Sequence, residues 1–428
     1  MNIAIDVTPI LPGGECGGAT QLVLELLRGL AKKAASDKFI LLTAHYNDEI
    51  FRQFDGLGMR RICVLGGSSQ KYLSFGWRVL NRLHGLIAPI LRRNGFSVLK
   101  FFSFSRRVFN RLKRMLVSHN QTGLLRRNGV SVLFCPMTAP SYHEAGIPTV
   151  SIVYDLQHFY YPAFFSQQEL TSRNNFYGEL VKKADYIICI SSFTRKTVIQ
   201  KLSMPPGKIS VIPVCVHSRM SVPSSKSAES ILTKFNLNGE KYCIYPANLW
   251  PHKNHKMLLV AFNMFTKKYP GYHLHLVLTG AELKNYGIIE NAVKQMGQTD
   301  RVHLLGYLKE EELSAIWRGS QFLIFPSLFE GFGIPLLEAM RYRKPIIASN
   351  VTSVPEVAGD AAIYFDPKKP DEMVNSLCKI MEDESLCHVL VAKGQEQLKH
   401  YDFNRMINKY IRVIHQAGET GCDEFKKS

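Results

Sequence analysis

Short apolar runs alternate along the chain with segments whose apolar residues recur at helical spacing. In the first half, the runs MNIAIDV, KFILLTA, VSVLFCP, PTVSIVYDL and ADYIICIS predict buried strands. The segment GATQLVLELLRGLAKKA predicts a helix with apolar positions at Leu22, Leu26, Leu27 and Leu30. The second half repeats the alternation from KYCIYPA to AAIYFDP. This order predicts an α/β protein in which parallel sheets are flanked by helices, here twice.

The length of 428 residues suits two domains of roughly 200 residues each. A stretch rich in Ser and Pro near residues 213–230 interrupts the alternation, and we predict the linker there. The predicted organisation is an N-terminal Rossmann-like domain (1–215), a C-terminal Rossmann-like domain (216–402), and a last helix with a tail (403–428).

Composition excludes several classes of protein. Hydrophobic residues make up 46% of the chain, which is typical of a globular protein, and no apolar run reaches the roughly 20 residues that cross a bilayer. The N-terminus reads as a first strand and not as a signal peptide. The nine cysteines are scattered singly, without a CxxC pair or a His/Cys cluster at metal spacing. We therefore expect a reducing cytoplasm, no disulfide framework and no structural zinc.

The net charge of +18 is concentrated in an insertion at about residues 70–128. Between Asp55 and Glu144 there is no acidic residue, whereas fifteen Lys and Arg occur there. Segments 74–93 and 97–117 each combine an apolar stripe with a basic face, which predicts a peripheral contact with an anionic membrane. The alternative is that the apolar stripes pack on the protein's own core. Nucleic-acid binding fits less well, because no nucleic-acid module accompanies the charge. The predicted membrane-contacting residues are Arg78, Arg82, Arg92, Arg93, Arg106, Arg107, Arg111 and Arg114.

The segment SLFEGFGIPLLEAM (327–340) places two glutamates among glycines and apolar residues. Glu330 follows a predicted strand, and Glu338 lies about one turn into a helix that Pro335 suits at its start. Glycines let backbone N–H groups approach a ligand closely, and carboxylates accept hydrogen bonds from sugar hydroxyls. The pattern fits a site that reads a hexose and a ribose. An exposed loop followed by an ordinary helix start fits it equally well.

The segment from RVHLLGY to AAIYFDP resembles, almost throughout, the retaining family-4 glycosyltransferases of GT-B fold. The resemblance is weaker over the rest of the chain and excludes roughly residues 60–130. The segment PANLWPHKNHKMLL is most similar to bacterial mannosyltransferases of polysaccharide assembly. The resemblance implies two Rossmann-like domains that face a central cleft, and a last helix that crosses back to the first domain.

The resemblance also implies roles for individual residues. Glu330, with the N–H groups of its loop, would contact the donor sugar; Glu338 would hold the ribose; and Lys253 would neutralise the leaving diphosphate. The residues implied in catalysis are Glu330, Lys253, Asp155, Tyr154 and His158. The residues implied in donor binding are Gly17, Gly18, Asn248, Gly306, Tyr307, Gly331, Phe332, Gly333 and Glu338. Ser191 would lie near the cleft.

The sequence departs from the family pattern at two positions. Asn248 stands where an arginine is expected, which leaves Lys253 as the single fixed cation of that turn unless Arg219, His252 or His255 compensates. Tyr154 stands where a histidine is expected, with His158 as a partial substitute or as part of the acceptor wall.

The resemblance predicts a retaining hexosyltransferase, and the basic insertion predicts that it is peripheral on the inner face of the cytoplasmic membrane. It would move a sugar from a nucleotide diphosphate donor, preferably mannose from GDP-mannose, to a lipid-linked or membrane-embedded glycan. We expect no cofactor and no metal, because no DxD-like acidic cluster is placed to hold one. A UDP-sugar donor remains open. The alternatives are another enzyme on this fold, such as an epimerase or a soluble α-glucan synthase, and a non-catalytic protein that binds nucleotide sugars or membranes.

Overall fold

The computed structural model describes residues 1–11, 18–65, 123–215, 225–280 and 285–425. The chain forms two compact units. The first contains Met1–Ser151, Lys183–Asp185 and Ile411–Ser428, and the second contains Ile152–Lys182 and Tyr186–Tyr410. The domain boundaries predicted after residues 215 and 402 stay predictions.

The described strands form two sheets in which paired strands run parallel. The first sheet has the order β3-β2-β1-β4-β5-β6-β7, and the second has the order β10-β9-β8-β11-β12-β13. The strands are β1 (Asn2–Asp6), β2 (Lys38–Ala44), β3 (Met59–Leu65), β4 (Val132–Cys135), β5 (Thr149–Val153), β6 (Tyr186–Cys189), β7 (Ile209–Val211), β8 (Lys241–Pro246), β9 (Leu274–Thr279), β10 (Val302–Leu304), β11 (Phe322–Phe325), β12 (Ile346–Ser349) and β13 (Ala362–Phe365).

Helices connect most of these strands, as parallel pairing requires. The described α-helices are α1 (Gly18–Lys33), α2 (Asp48–Phe51), α3 (Leu124–Arg127), α4 (Gln167–Lys183), α5 (Ser192–Leu202), α6 (Ser225–Lys234), α7 (His255–Lys268), α8 (Tyr286–Gln295), α9 (Glu310–Gly319), α10 (Ile334–Arg341), α11 (Val354–Ala358), α12 (Pro370–Glu382), α13 (Glu384–Leu398) and α14 (Phe403–Phe425). The predicted α/β class is therefore confirmed. The apolar positions predicted for α1 are all buried.

The pattern of apolar residues did not predict β3 or β7. Strand β3 lies at the edge of the first sheet and carries Arg60 and Arg61, which interrupt its apolar run. Arg61 donates to both carboxylate oxygens of Asp55 at 2.8 Å and also binds Asp48. An edge strand tolerates such charged residues because one of its sides has no partner strand.

The linker predicted near residues 213–230 is wrong over its last part, because α6 begins at Ser225. The Ser-rich composition concealed a helix that tertiary contacts stabilise. Ser227 Oγ donates to Glu311 Oε1 at 2.6 Å, and Lys234 Nζ donates to Glu312 Oε1 at 2.6 Å. Both partners belong to the first turn of α9, so neighbouring helices override a weak local preference.

The chain changes direction across the second sheet beside β8. Strands β9 and β10 follow on one side of β8, and β11, β12 and β13 follow on the other. The segments that leave β8 and β11 therefore emerge side by side at the carboxyl edge, where open α/β sheets bind ligands.

Gly280 permits a close contact between two of the segments at this edge. Its φ is +146°, and a Cβ atom there would lie 2.5 Å from the carbonyl oxygen of Ala247, which follows β8. The N–H of Gly280 also donates to Gly306 O at 2.8 Å, so the segment after β9 is hydrogen-bonded to the segment after β10. Only glycine satisfies both the backbone conformation and the available space.

We expect Gly280→Ala to lower the free energy of unfolding of the second unit by about 2–4 kcal/mol, since it adds strain and a backbone clash. The measurement is the midpoint of urea unfolding. Gly287→Ala in α8 is the matched control, because a Cβ atom at residue 287 meets nothing within 4 Å. Equal midpoints for the two variants would contradict this account of Gly280.

Candidate active site

An ion pair joins the segment that leaves β8 to the segment that leaves β11. Lys253 Nζ donates to Glu330 Oε1 at 2.6 Å, and only 17% and 10% of the two side chains are exposed. Charges this poorly hydrated are tolerated when each compensates the other. The pair therefore fixes an ammonium and a carboxylate together at the carboxyl edge of the sheet.

The backbone on the β8 side is held by Asn254. This residue has a φ of +62°, and its side chain donates to Pro326 O at 3.1 Å and to Pro367 O at 2.8 Å. Asparagine tolerates the left-handed region better than most residues. The N–H of Leu328 donates to His252 O at 2.7 Å, so the two segments are also bonded through their backbones.

Tyr245 is hydrogen-bonded to both the segment after β8 and the segment after β11. It is fully buried at the end of β8, and its hydroxyl lies 2.9 Å from Lys253 O and 2.8 Å from Ser327 Oγ. Burial, together with the charge of Glu330, raises the pKa of Tyr245 well above its usual value. The hydroxyl therefore stays protonated and acts as a structural hydrogen-bond donor.

Hydroxyl side chains after β12 hold the backbone of the Glu330 loop. The N–H of Glu330 donates to Thr352 Oγ1 at 3.1 Å, and Ser353 Oγ lies 3.0 Å from both Glu330 O and Phe332 O. Sequence reasoning missed these residues. The signal was the run SNVTS directly after a strand that neighbours β11 in the sheet.

Gly331 packs against two other residues singled out from the sequence, Tyr154 and Asp155. A Cβ atom at residue 331 would lie 2.0 Å from Tyr154 O and 3.1 Å from Asp155 Cβ. Ser191 Oγ donates to Gly331 O at 2.7 Å, and Thr194 Oγ1 lies 3.2 Å from the same oxygen. The end of β5, the start of α5 and the Glu330 loop therefore meet at this glycine.

Glu338, Phe332 and Gly333 lie where the helix prediction placed them. Helix α10 begins at Ile334, directly after Gly333, whose φ is +102°, and Pro335 occupies its first turn. Glu338 lies within α10 and is buried. The Phe332 ring is also buried, where it contacts the edge of Tyr401 at 5.7 Å. The part of Phe332 suited to a polar ligand is thus its backbone.

The other donor-binding candidates of the second unit lie after β8 and β10. A Cβ atom at residue 280 would lie 2.8 Å from the backbone nitrogen of Asn248, and the N–H of Gly280 donates to Gly306 O at 2.8 Å. Tyr307 is 79% exposed. The structure thus brings Asn248 and Gly306 together at the same edge as Lys253, and it leaves the Tyr307 ring open to solvent.

His158 is buried beneath aromatic rings. Its ring stacks on Tyr177 with centroids 5.1 Å apart, and neither ring nitrogen has a hydrogen-bond partner among the described residues. Burial and the nearby charge of Arg173 lower the pKa of His158 to about 4. The imidazole is therefore neutral at pH 7.

His252 and His255 do not supply the cation that Asn248 lacks. Burial and the charge of Lys253 lower the pKa of His255 to about 3, and burial lowers the pKa of His252 even further. Both rings are uncharged at neutral pH. Among the three candidates for compensation, Arg219 lies outside the described residues.

Several predicted residues fall in ranges that the structure does not describe. These are Gly17 and the eight arginines of the insertion, whereas Gly18 is described and begins α1. In the described ranges no helix combines the length and apolarity needed to cross a bilayer. Within the same ranges, no three His, Cys, Asp or Glu residues are grouped so as to hold a metal ion.

Two family models match the chain in succession. The model described as "Glycosyltransferase Family 4" matches residues 16–219, and the model "Glycosyl transferases group 1" matches residues 228–397. The chain belongs to the family-4 glycosyltransferases of GT-B fold. The predicted family and the two-domain α/β fold are thereby confirmed.

Similar proteins include bacterial mannosyltransferases. The O-antigen chain mannosyltransferase B of Escherichia coli is 26% identical over 268 residues, which are 62% of this chain and 69% of that protein. The serotype-specific mannosyltransferase WbdA of Escherichia coli is 25% identical over 57% of this chain, and the match spans only 31% of WbdA. Among solved structures, Anabaena Alr3699/HepE in complex with UDP and glucose has a TM-score of 0.66 at 15% identity, and the match covers 97% of this chain and 100% of that chain.

The glycosyltransferase brings five of its predicted residues together in the second unit: Lys253, Glu330, Gly331, Tyr154 and Asp155. Glu330, Gly331, Tyr154 and Asp155 are in contact or share bonding partners. The roles given to these residues by resemblance stay predictions.

Acid should destabilise the glycosyltransferase through His255. The pKa of this ring is about 3 in the folded protein and about 6.5 when unfolded, so the unfolded chain binds the proton first and stability falls as pH falls below 6.5. For this residue alone, we expect a loss of about 2 kcal/mol between pH 7 and pH 5.

Urea unfolding at the two pH values measures this effect. His255→Phe should reduce the pH-dependent loss by about 2 kcal/mol, whatever its stability at pH 7. His388→Phe is the control, because the side chain of His388 is 80% exposed. An unchanged pH dependence in His255→Phe would show that the buried ring does not govern acid stability.

Proposed function

We propose that this glycosyltransferase retains the anomeric configuration and moves mannose from GDP-mannose to a lipid-linked or membrane-embedded glycan in cell-surface polysaccharide synthesis. The observation that carries the proposal is the Lys253–Glu330 pair at the point where the second sheet changes direction. The similarity to the mannosyltransferases of Escherichia coli supports mannose as the transferred sugar.

In the proposed step, the bond between the sugar C1 and the diphosphate oxygen breaks while a bond from C1 to the acceptor hydroxyl forms on the same face. The proton of that hydroxyl moves to the departing phosphate oxygen, so no protein nucleophile is needed. The chain contributes mainly orientation and charge stabilisation.

Different residues bind different parts of the donor. Glu330 accepts hydrogen bonds from the sugar hydroxyls, Lys253 neutralises the charge that builds on the diphosphate, and Glu338 on α10 binds the ribose. The N-terminus of α10 adds the positive end of a helix dipole. We propose that the donor binds without a divalent metal.

The ion pair between Lys253 and Glu330 affects which nucleotide the site prefers. With the donor absent, Glu330 neutralises Lys253 across 2.6 Å. A complete nucleotide sugar replaces the lost attraction at both ends, because its phosphate contacts Lys253 and its hydroxyls contact Glu330. A nucleoside diphosphate without the sugar replaces the lost attraction only at Lys253 and leaves Glu330 without a partner. The ion pair therefore makes the affinity for the intact donor higher than the affinity for the product nucleotide.

A UDP-sugar is the second candidate donor. The Anabaena structure that shares the fold contains UDP and glucose, and a common fold at 15% identity leaves the base and the sugar open.

Thermal shift with a panel of GDP-sugars and UDP-sugars, with and without magnesium, tests the donor. Stabilisation by GDP-mannose without magnesium is the expected result. Preference for a UDP-sugar would overturn the assignment of the donor but not the transferase. No shift with any nucleotide sugar would favour a non-catalytic role.

Glu330→Gln separates the two halves of the donor site. We expect sugar transfer to fall at least about 100-fold, because a fixed charge at the reacting sugar is lost. The affinity for GDP should rise about threefold or more, since Lys253 is no longer neutralised. Calorimetry with GDP and transfer from labelled GDP-mannose measure both effects. Glu384→Gln is the control, because the side chain of Glu384 is 92% exposed. Weaker GDP binding in Glu330→Gln would contradict the assignment of Lys253 to the diphosphate and of Glu330 to the sugar.

We propose that the enzyme works as a peripheral protein on the inner face of the cytoplasmic membrane, held by the basic insertion. Replacing Arg106, Arg107, Arg111 and Arg114 by glutamine should lower the affinity for phosphatidylserine liposomes, measured by sedimentation, by about 1,000-fold, at about 1 kcal/mol per charge.

The control for this experiment removes the same net charge elsewhere. Lys182, Lys294, Lys369 and Lys399 are exposed lysines on other parts of the chain. Their replacement by glutamine should change liposome binding much less, because the charges lie outside the amphipathic segments. Equal losses in the two variants would indicate a nonspecific effect of net charge.

A further inference from the structure

The loop between β5 and α4 has an unusual aromatic surface. Five of the seven residues in FYYPAFF (159–165) are aromatic, and they lie within or directly beside two short 3₁₀ turns, Gln157–Phe159 and Pro162–Phe164. None of the five is buried, and Tyr160 is 39% exposed. Contiguous apolar side chains that remain accessible to solvent can mark a binding site. We name this group the aromatic surface; it consists of Phe159, Tyr160, Tyr161, Phe164 and Phe165.

The aromatic surface adjoins the Glu330 loop. Tyr161 donates its hydroxyl to Leu328 O at 3.2 Å. The ring of Phe329 lies 5.3 Å from Tyr160 and 6.3 Å from Tyr161, measured between centroids. Phe329 is the residue directly before Glu330. The aromatic surface thus packs against the loop that carries Glu330.

Contacts on several sides hold the rings in place. Tyr161 and Phe164 stack with an interplanar angle of 4° and centroids 5.1 Å apart. The hydroxyl of Tyr160 lies 3.1 Å from Thr197 Oγ1 on α5. The guanidinium of Arg173 lies 4.4 Å from the Phe165 centroid. A surface that is already ordered loses little conformational entropy when a ligand binds.

The chemistry of this surface suits a sugar ring. The C–H bonds on one face of a pyranose pack against aromatic rings, while its hydroxyls need hydrogen-bond partners at the rim. Tyr160 and Tyr161 combine an apolar ring with a hydroxyl. Arg173 over the Phe165 ring, and Lys201, whose Nζ lies over the Tyr160 ring at 5.7 Å from its centroid, add hydrogen-bond donors. A lipid chain would instead need a continuous apolar surface without these polar groups.

We propose that the aromatic surface binds the terminal pyranose of the acceptor glycan and presents its hydroxyl to the donor. This inference rests on the proposed transferase function and adds to it the site for the second substrate. It predicts that the rings set the affinity for the acceptor, whereas Lys253, Glu330 and Glu338 set the affinity for the donor.

The test separates acceptor binding from donor binding. The probes are mannotriose as acceptor and GDP-mannose as donor, with maltotriose as a second pyranose acceptor. Phe164→Ala and Phe165→Ala should each raise the KM for the trisaccharide about tenfold, since stacking on one aromatic ring contributes about 1.4 kcal/mol, which is a factor of ten in affinity. The Kd for GDP-mannose and kcat at saturating acceptor should change less than twofold.

Two variants control for a merely structural effect. Phe165→Tyr keeps the ring and should retain the wild-type KM. Phe176→Ala removes an aromatic ring that is 41% exposed on α4, outside the aromatic surface, and should also leave the KM unchanged. An unchanged KM in both Phe164→Ala and Phe165→Ala, or a parallel loss of donor affinity, overturns the proposal.

A direct binding measurement keeps the proposal testable if the alanine variants do not fold or if no donor is turned over. Saturation-transfer NMR on the wild-type protein should show magnetisation passing from aromatic protons to the ring protons of mannotriose or maltotriose. The signal should persist in Glu330→Gln, whose donor site is altered. If no magnetisation passes to either trisaccharide at millimolar concentration, the proposed acceptor site is wrong. If a trisaccharide binds but no sugar is transferred, the acceptor site stands and only the proposed transferase activity is contradicted.

Discussion

The ion pair between Lys253 and Glu330 is the interaction on which the rest of the candidate active site depends. Its two charges come from segments that leave different strands, and both are largely shielded from water. If either residue were lost, the other would remain as a poorly hydrated and uncompensated charge. The pair therefore fixes two loops relative to each other, and it does so where the second sheet changes direction and its carboxyl edge is open to a ligand.

The loops around this pair are held mainly by hydrogen bonds from hydroxyl side chains to the backbone. Hydroxyls of Thr352, Ser353 and Ser191 hold the backbone of residues 330–332, and the hydroxyl of Tyr245 holds the backbone of Lys253. These contacts satisfy polar backbone groups that would otherwise be buried without partners. The loop is consequently ordered before any donor arrives, which reduces the reorganisation needed for charge stabilisation.

The electrostatics of the site follow from burial. His252, His255 and His158 lie near cations, and their pKa values are far below neutrality, so they add no positive charge at pH 7. The departure from the family pattern at Asn248 is thus not offset by these histidines. Against the residues that precede Glu330, the aromatic surface offers rings and hydroxyls together with the cations Arg173 and Lys201.

The sequence by itself determined the α/β class, most of the strands, and the start of α10 at Gly333 and Pro335, because periodicity and turn chemistry are local properties. It also placed Lys253 and Glu330 at strand exits. Only the tertiary structure decided that they pair, since the order of strands in a sheet is set by long-range packing and is not written in any single segment. The same reason explains why β3, α6 and the hydroxyls of Thr352 and Ser353 were missed. Whether a histidine is charged depends likewise on burial, which arises only when distant segments come together.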